Sequence, residues 1–338
     1  AIGETGLDYH YEPEAAELQQ QAFRLHLQAA QITGKPVIVH TREARADTLA
    51  IVREAALPQA GVLHCLTEDW VMAKAALIVI DECSMVDEQL GRDLMSFGTP
   101  ILVLGDPGQL PPVSGGGFFT DQEPDYLLTE IHRQARDNPI IQLAMHIREG
   151  KEIMYGDYGT TARVISKNEV TQDLVLGADQ VLVGTNKTRR RYNMRLRELK
   201  GFTVDYPQAG DKLVCLRNDQ VKGLLNGSLW QVMTSSRETV KPGINLLIKP
   251  EDDDMDRGAA KIKLLKDAFA DIETEIPWST RKRYDEFDYG YALTVHKAQG
   301  SQWNDVVLFD ESWAFRDTRE RWLYTAVTRA AETLTIVR

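Results

Sequence analysis

The sequence predicts an α/β protein built on parallel sheets, with a small all-β module inserted in it. Three observations carry this. Over residues 1–82 short apolar runs alternate with amphipathic stretches in the order βαβαβαβ, the pattern of parallel strands covered by helices. From 210 to 250 the hydrophobic period drops to two, and after 290 buried-strand runs return between helical stretches. The 338 residues are 43% hydrophobic and 26% charged, enough for two or three domains and too apolar for a disordered chain. No apolar run reaches the ~18 residues of a bilayer span and no basic-then-apolar leader opens the chain, so a cytoplasmic setting is expected. A net charge of −11 argues against indiscriminate coating of nucleic acid but leaves room for a local basic groove. Cys65, Cys83 and Cys215 are too scattered for a disulfide framework and are expected as buried free thiols.

The elements follow in order. After a short strand at Ala1-Ile2, Leu18, Ala22, Leu25 and Ala29 recur at spacings of four, three and four and predict the buried face of a helix. The β-branched PVIVH is a strand, 43–56 a second helix, 61–64 a third strand, and a helix of about ten residues ends where the strand 77–80 begins. A strand at 101–104, a helix near 137–149 and the strand 181–184 come next. In the basic stretch NKTRRRYNMRLRELK, Tyr192, Leu196 and Leu199 share one helical stripe and the arginines cover the rest. KLVCL, the Asn226-Gly227 turn, SLWQV and INLLI read as hairpin-connected strands. The acidic run 251–256 lacks the Gly and terminal Glu of a calcium loop and is expected as a solvated loop. Strands at YALTV and DVVLF, a helix at 319–330 and the strand TLTIV close the chain.

Chemistry enters at LIVIDE. An apolar strand ending in Asp81 and Glu82 sets two carboxylates at the carboxyl edge of a parallel sheet, where ligands of such sheets bind. Phosphoryl transfer needs one carboxylate for Mg²⁺ and one for the attacking water. Taken alone, the pair reads equally well as helix-capping acids. Five segments in order, IVIDECSMVDEQ, LVLGDPGQLPPV, LTEIHRQARDNPI, ALTVHKAQGSQW and YTAVTRA, resemble motifs II to VI of superfamily 1 DNA helicases of the RecD-like, phage Dda-like type. The resemblance implies two RecA-like domains of the P-loop NTPase type, a small β-barrel insertion, ATP with Mg²⁺ between the domains, and 5′ to 3′ movement on single-stranded DNA.

Carried onto this chain, the resemblance gives Asp81 to Mg²⁺, Glu82 to the catalytic base, Gln109 to the γ-phosphate or attacking water, and Arg133 and Arg329 to the γ-phosphate. Asp106, Lys297, Gln299 and Gly300 fall to the nucleotide side. Thr294 and His296, with Lys297, sit where motif V couples DNA contact to nucleotide state, and Asn186, Thr188 and Arg189 resemble the family's backbone-contacting GTN-x-TR. His296 equally suits a core position. Residues 187–200 carry seven Lys or Arg, which reads as a phosphate-neutralising face or as an ordinary solvated helix face.

The phosphate loop GxxxxGK[ST] is absent from the 338 residues. Its place upstream of Asp81 is taken by IGETGLDYHYEP, KPVIVHTREARADTL and GVLHCLTEDW, which resemble the middle of the TatD-family metal-dependent deoxyribonucleases, TIM-barrel hydrolases. This second resemblance implies that Glu4, His40 and His64 are divalent-metal ligands, each closing a strand, in a truncated barrel without the family's amino-terminal His-x-His and later Asp. The expected organisation is a chimera: a TatD-like segment over 1–76, the remainder of a first RecA-like domain over 77–145, a second over 146–205 and 281–338, and the β-insertion over 206–280. The expected function is that of an ATP-dependent DNA helicase crippled by the missing loop. Two alternatives stay open: an inactive single-stranded nucleic-acid-binding module, and a metal-dependent nuclease with an incomplete site.

Overall fold

The computed structural model describes residues 2–9, 13–35, 37–42, 44–55, 62–64, 78–96, 98, 100–111, 117–120, 122–127, 137–219, 221–235, 243–251, 258–269 and 277–338. The chain forms two units, Ala1–Pro107 with Pro111–Leu127, and Gly108–Leu110 with Leu128–Arg338. Residues from both sides of the expected junction at 76/77 lie in the first unit.

In the first unit, β1 (Ile2–Asp8), β2 (Val37–Arg42) and β3 (Val62–His64) form a parallel sheet in that order, crossed by α1 (Ala16–Thr33) and α2 (Arg45–Ala55). The buried face of α1 is Phe23, Leu27 and Ala30, packed on Leu7, Val37, Val39 and Ile51. This corrects the expected stripe, for Leu18 and Leu25 are 68% and 64% exposed. Both sets repeat at the same spacings of four and three, so periodicity does not choose between them; the aromatic area of Phe23 does. β4 (Ile78–Ile80) pairs in parallel with β5 (Ile101–Val103), and α3 (Glu88–Met95) starts at Asp87, whose carboxylate accepts from the Leu90 amide. Among the described residues no ladder joins β3 to β4, so the two halves of the unit keep separate sheets. The helix expected just before 77 lies outside the described residues.

The second unit is built on a six-stranded sheet ordered β14-β8-β15-β16-β7-β6: β14 (Ala292–Thr294), β8 (Gln180–Val183), β15 (Trp303–Phe309), β16 (Ala330–Val337), β7 (Ala162–Ile165) and β6 (Gly156–Tyr158). All neighbours are parallel except β6. One core joins this sheet to α4 (Pro139–Arg148), capped by the Asn138 side chain, through Leu143, Ile147, Leu308, Trp322 and Leu334. α5 (Gln172–Gly177) is capped by Thr171, and α6 (Asn186–Leu199) follows β8 directly. The period-two region forms an antiparallel sheet of β9 (Lys212–Cys215), β10 (Leu229–Ser235), β11 (Gly243–Pro250) and β12 (Ala260–Leu265), in the order β12-β11-β10-β9-β13. Its fifth strand, β13 (Phe287–Tyr289), follows the single turn of α7 (Trp278–Arg281). α8 (Arg319–Val327) completes the unit.

α6 departs from its expected surface pattern. Its buried residues are Asn193, Leu196 and Arg197, the last only 2% exposed. Arg197 meets Asp211, itself 0% exposed, through Nε–Oδ1 at 2.9 Å and Nη2–Oδ2 at 3.0 Å, and its remaining donors reach the carbonyls of Val204 and Tyr206. Tyr291 Oη and the Gln208 amide also donate to Asp211, and Tyr289 lies under the guanidinium at 4.1 Å. The Asn193 amide exchanges two hydrogen bonds with the backbone of Ala292. α6 is thus tied to β14 on one side and to the start of the inserted sheet on the other. Cys83 and Cys215 are buried free thiols, and Cys65 lies outside the described residues. Among the described residues no helix is long and apolar enough to cross a membrane.

Candidate nucleotide and nucleic-acid site

Asp81 and Glu82 leave the carboxyl end of β4. Asp81 is exposed, and its Oδ1 accepts from the Glu82 amide at 2.9 Å. Glu82 takes a left-handed backbone (φ 51°), a conformation costing about 1 kcal/mol or more for a residue with a Cβ and concentrated at functional turns. It turns the chain into the 3-10 stretch Cys83–Met85, where the Cys83 amide bonds Leu104 O and extends the β4/β5 register. Gly105 is required there, because a Cβ would stand 2.4 Å from Cys83 Sγ. Asp106 follows in the same unit.

Gln109 belongs to the second unit, where parts of three motifs meet. Leu110, buried in that unit's core, donates its amide to Thr325 Oγ1 at 2.9 Å and accepts from Gln299 Nε2 at 3.0 Å. Arg329 is buried beside Thr325: its guanidinium donates to Thr325 O, Ser301 O and Thr328 Oγ1 at 3.0–3.1 Å. Gln109 Oε1 is buried with no hydrogen-bond partner. An orphaned acceptor of this kind costs about 1–3 kcal/mol and fits a site that a polar ligand or its water completes. Gly300 follows Gln299 with φ 78°. Arg133 lies outside the described residues.

A second cluster stands at the carboxyl ends of β14, β8 and β15, neighbours in the sheet. Thr294 ends β14, and its Oγ1 accepts the Lys297 amide at 3.3 Å. His296 packs on the Phe315 ring, 5.4 Å between centroids, and burial lowers its pKa below the ordinary 6.5. Burial also lowers the Lys297 ammonium, whose Nζ donates to Asn226 Oδ1 at the hairpin turn. After β8, Thr185 caps α6 by accepting from the Thr188 amide. Glu311, just past β15, accepts from the amides of Gly184 and Thr185 and from Thr188 Oγ1. Gly184 permits this, for a Cβ there would lie 2.7 Å from that of Glu311. Arg189 donates to Asn186 Oδ1 and pairs with Asp288 at 2.6 Å, leaving Asn186, Lys187 and Arg191 among the exposed side chains of α6.

Of the expected metal ligands, His64 closes β3, whereas Glu4 lies inside β1 and His40 inside β2. His40 and His64 stand opposite in register, and His40 Nε2 lies 3.2 Å from Asp8 Oδ2. The side chains of Glu4 and His64 are outside the described atoms, and no group of three metal-ligating side chains occurs among the described residues. Sequence reasoning missed Asp8, Thr325 and Glu311. The signal for Glu311 was present, since VVLFDE repeats the apolar-strand-then-two-acids pattern of LIVIDE.

Comparison with known proteins finds two kinds of relative along the chain. Residues 1–81 match the TatD related DNase family and residues 289–337 the UvrD-like helicase C-terminal domain. An uncharacterized metal-dependent hydrolase of Escherichia coli K12, YcfH, is 60% identical over 70 residues, covering 20% of this chain and 26% of that protein. The ATP-dependent RecD2 DNA helicase of Deinococcus radiodurans is 28% identical over 280 residues, 76% of this chain and 35% of RecD2. The chain joins TatD-related sequence to helicase sequence. It therefore spans about a quarter of the metal-dependent hydrolase and about a third of RecD2. In fold it is similar to the Pif1 helicase of Candida albicans, with a TM-score of 0.51 at 16% identity over 94% of this chain and 88% of that one. The 338 residues contain no GxxxxGK[ST] phosphate loop.

Proposed function

We propose that the helicase part binds single-stranded DNA as the remnant of an ATP-dependent helicase of the RecD kind, and that it does not couple this binding to ATP. The observation carrying this is the convergence at one sheet edge of Thr294–Lys297 and Asn186–Arg189, about a hundred residues apart in sequence. Loops at the carboxyl ends of parallel strands form the ligand edge of such sheets. The polar groups there and the exposed cations of α6 suit a phosphate backbone read without regard to base order. RecD2, by its name an ATP-dependent DNA helicase, supports the same reading.

Fluorescence anisotropy with a labelled oligothymidylate tests it. Affinity is expected to fall steeply with salt, and Lys187→Ala with Arg191→Ala to weaken binding and flatten the log–log slope by about 0.7 for each phosphate no longer neutralised. Binding unchanged by the double substitution would make α6 an ordinary solvated face.

A further inference from the structure

The segment after β15 touches both halves of this edge. Glu311 holds Gly184, Thr185 and Thr188, while Phe315 lies against His296 and stacks on the buried Trp322 at 5.4 Å. Between these anchors, Ser312 is buried; its amide donates to Asp310 Oδ1, and its hydroxyl accepts from Arg319 Nε. Asp310 is in turn paired with Arg338. Trp313 therefore sits on a backbone fixed before and after it, yet its side chain is 70% exposed. Folding gains little from an indole left in water, since the stabilisation of an aromatic comes from the area it buries.

We propose that Trp313 is a stacking platform for an unpaired nucleobase of the strand bound at this edge, an inference that rests on the DNA-binding reading above. Thr188 and His296 occupy the two flanks of the segment, and the backbone of Trp313 is already ordered, so stacking adds apolar contact without immobilising a loop. Every base offers a π-face, so such contact is tolerant of sequence. The occupant is a base and not a second aromatic protein surface, because Glu311 ties the segment to the first turn of α6, whose exposed Lys187 and Arg191 suit a phosphate chain.

The test compares an oligothymidylate with an abasic strand of equal length, which keeps the phosphates and lacks the bases. The native chain is expected to prefer the thymidylate by about tenfold, the scale of one stacked base. Trp313→Ala should bind the thymidylate as weakly as the abasic strand, with abasic affinity and salt slope unchanged, and Trp313→Phe should restore most of the preference. An undiminished preference in Trp313→Ala overturns the platform and leaves DNA binding standing. Loss of abasic binding in that variant also overturns it, because the residue would then be supporting the phosphate contacts. Failure of the native chain to bind either strand overturns both readings.

Discussion

Replacing Arg197 with Met should remove about 3–5 kcal/mol of stability from the second unit, the cost of leaving a buried charge without its partner. Asp211 would keep only Tyr291 Oη and the Gln208 amide of the donors that now surround it, with no route to water. Natural domains have about 5–15 kcal/mol in all, so the loss is a large fraction of the total. Urea unfolding of the full chain, followed by circular dichroism, would read it as an earlier transition. Adding Asp211→Leu to Arg197→Met should recover part of the loss, because removing both charges relieves the uncompensated carboxylate. A destabilisation below about 1 kcal/mol for Arg197→Met would show that Asp211 is reached by solvent or another cation.

No DNA-stimulated ATP hydrolysis above background is expected, whatever the strand supplied. The second unit retains a buried arginine, Arg329, and a buried orphaned amide oxygen on Gln109, and the first retains Asp81 and Glu82. An arginine aimed at a transferring phosphoryl group is worth about 10³–10⁵ in rate, but only on a nucleotide already held by its phosphates. The loop that supplies those amides and a lysine has no counterpart in the sequence. A coupled-enzyme assay across Mg²⁺ and oligonucleotide concentrations measures this. Turnover abolished by Glu82→Gln would overturn the expectation and reveal phosphate donors elsewhere in the chain.

The helicase strands were legible because buried parallel strands are written as continuous apolar runs, and 77–80, 101–104 and 181–184 are of that kind. The buried face of α1 was not, since Leu18 and Phe23 begin equivalent stripes and tertiary burial selects between them. Arg197 was illegible for another reason. A basic helix is read by charge as a surface, and the partner that draws one of its arginines inward, Asp211, lies fourteen residues on, in a segment with no helical relation to it. The sequence brought Gln109, Gln299 and Arg329 forward as parts of separate motifs, but their common attachment through Leu110 and Thr325 needs the tertiary fold.

Residues 108–110 make the chain's path unlike that of beads on a string. The polypeptide leaves the first unit, places Leu110 in the core beside Trp322 and Val327, and returns for residues 111–127. A single cleavage at 127/128 thus does not excise the second unit intact, because one of its core side chains departs with the other piece. The vacancy would be leucine-sized, and voids of that size cost about 2–5 kcal/mol. The change of relatedness near residue 81 and the change of packing unit at 127/128 are therefore two different boundaries.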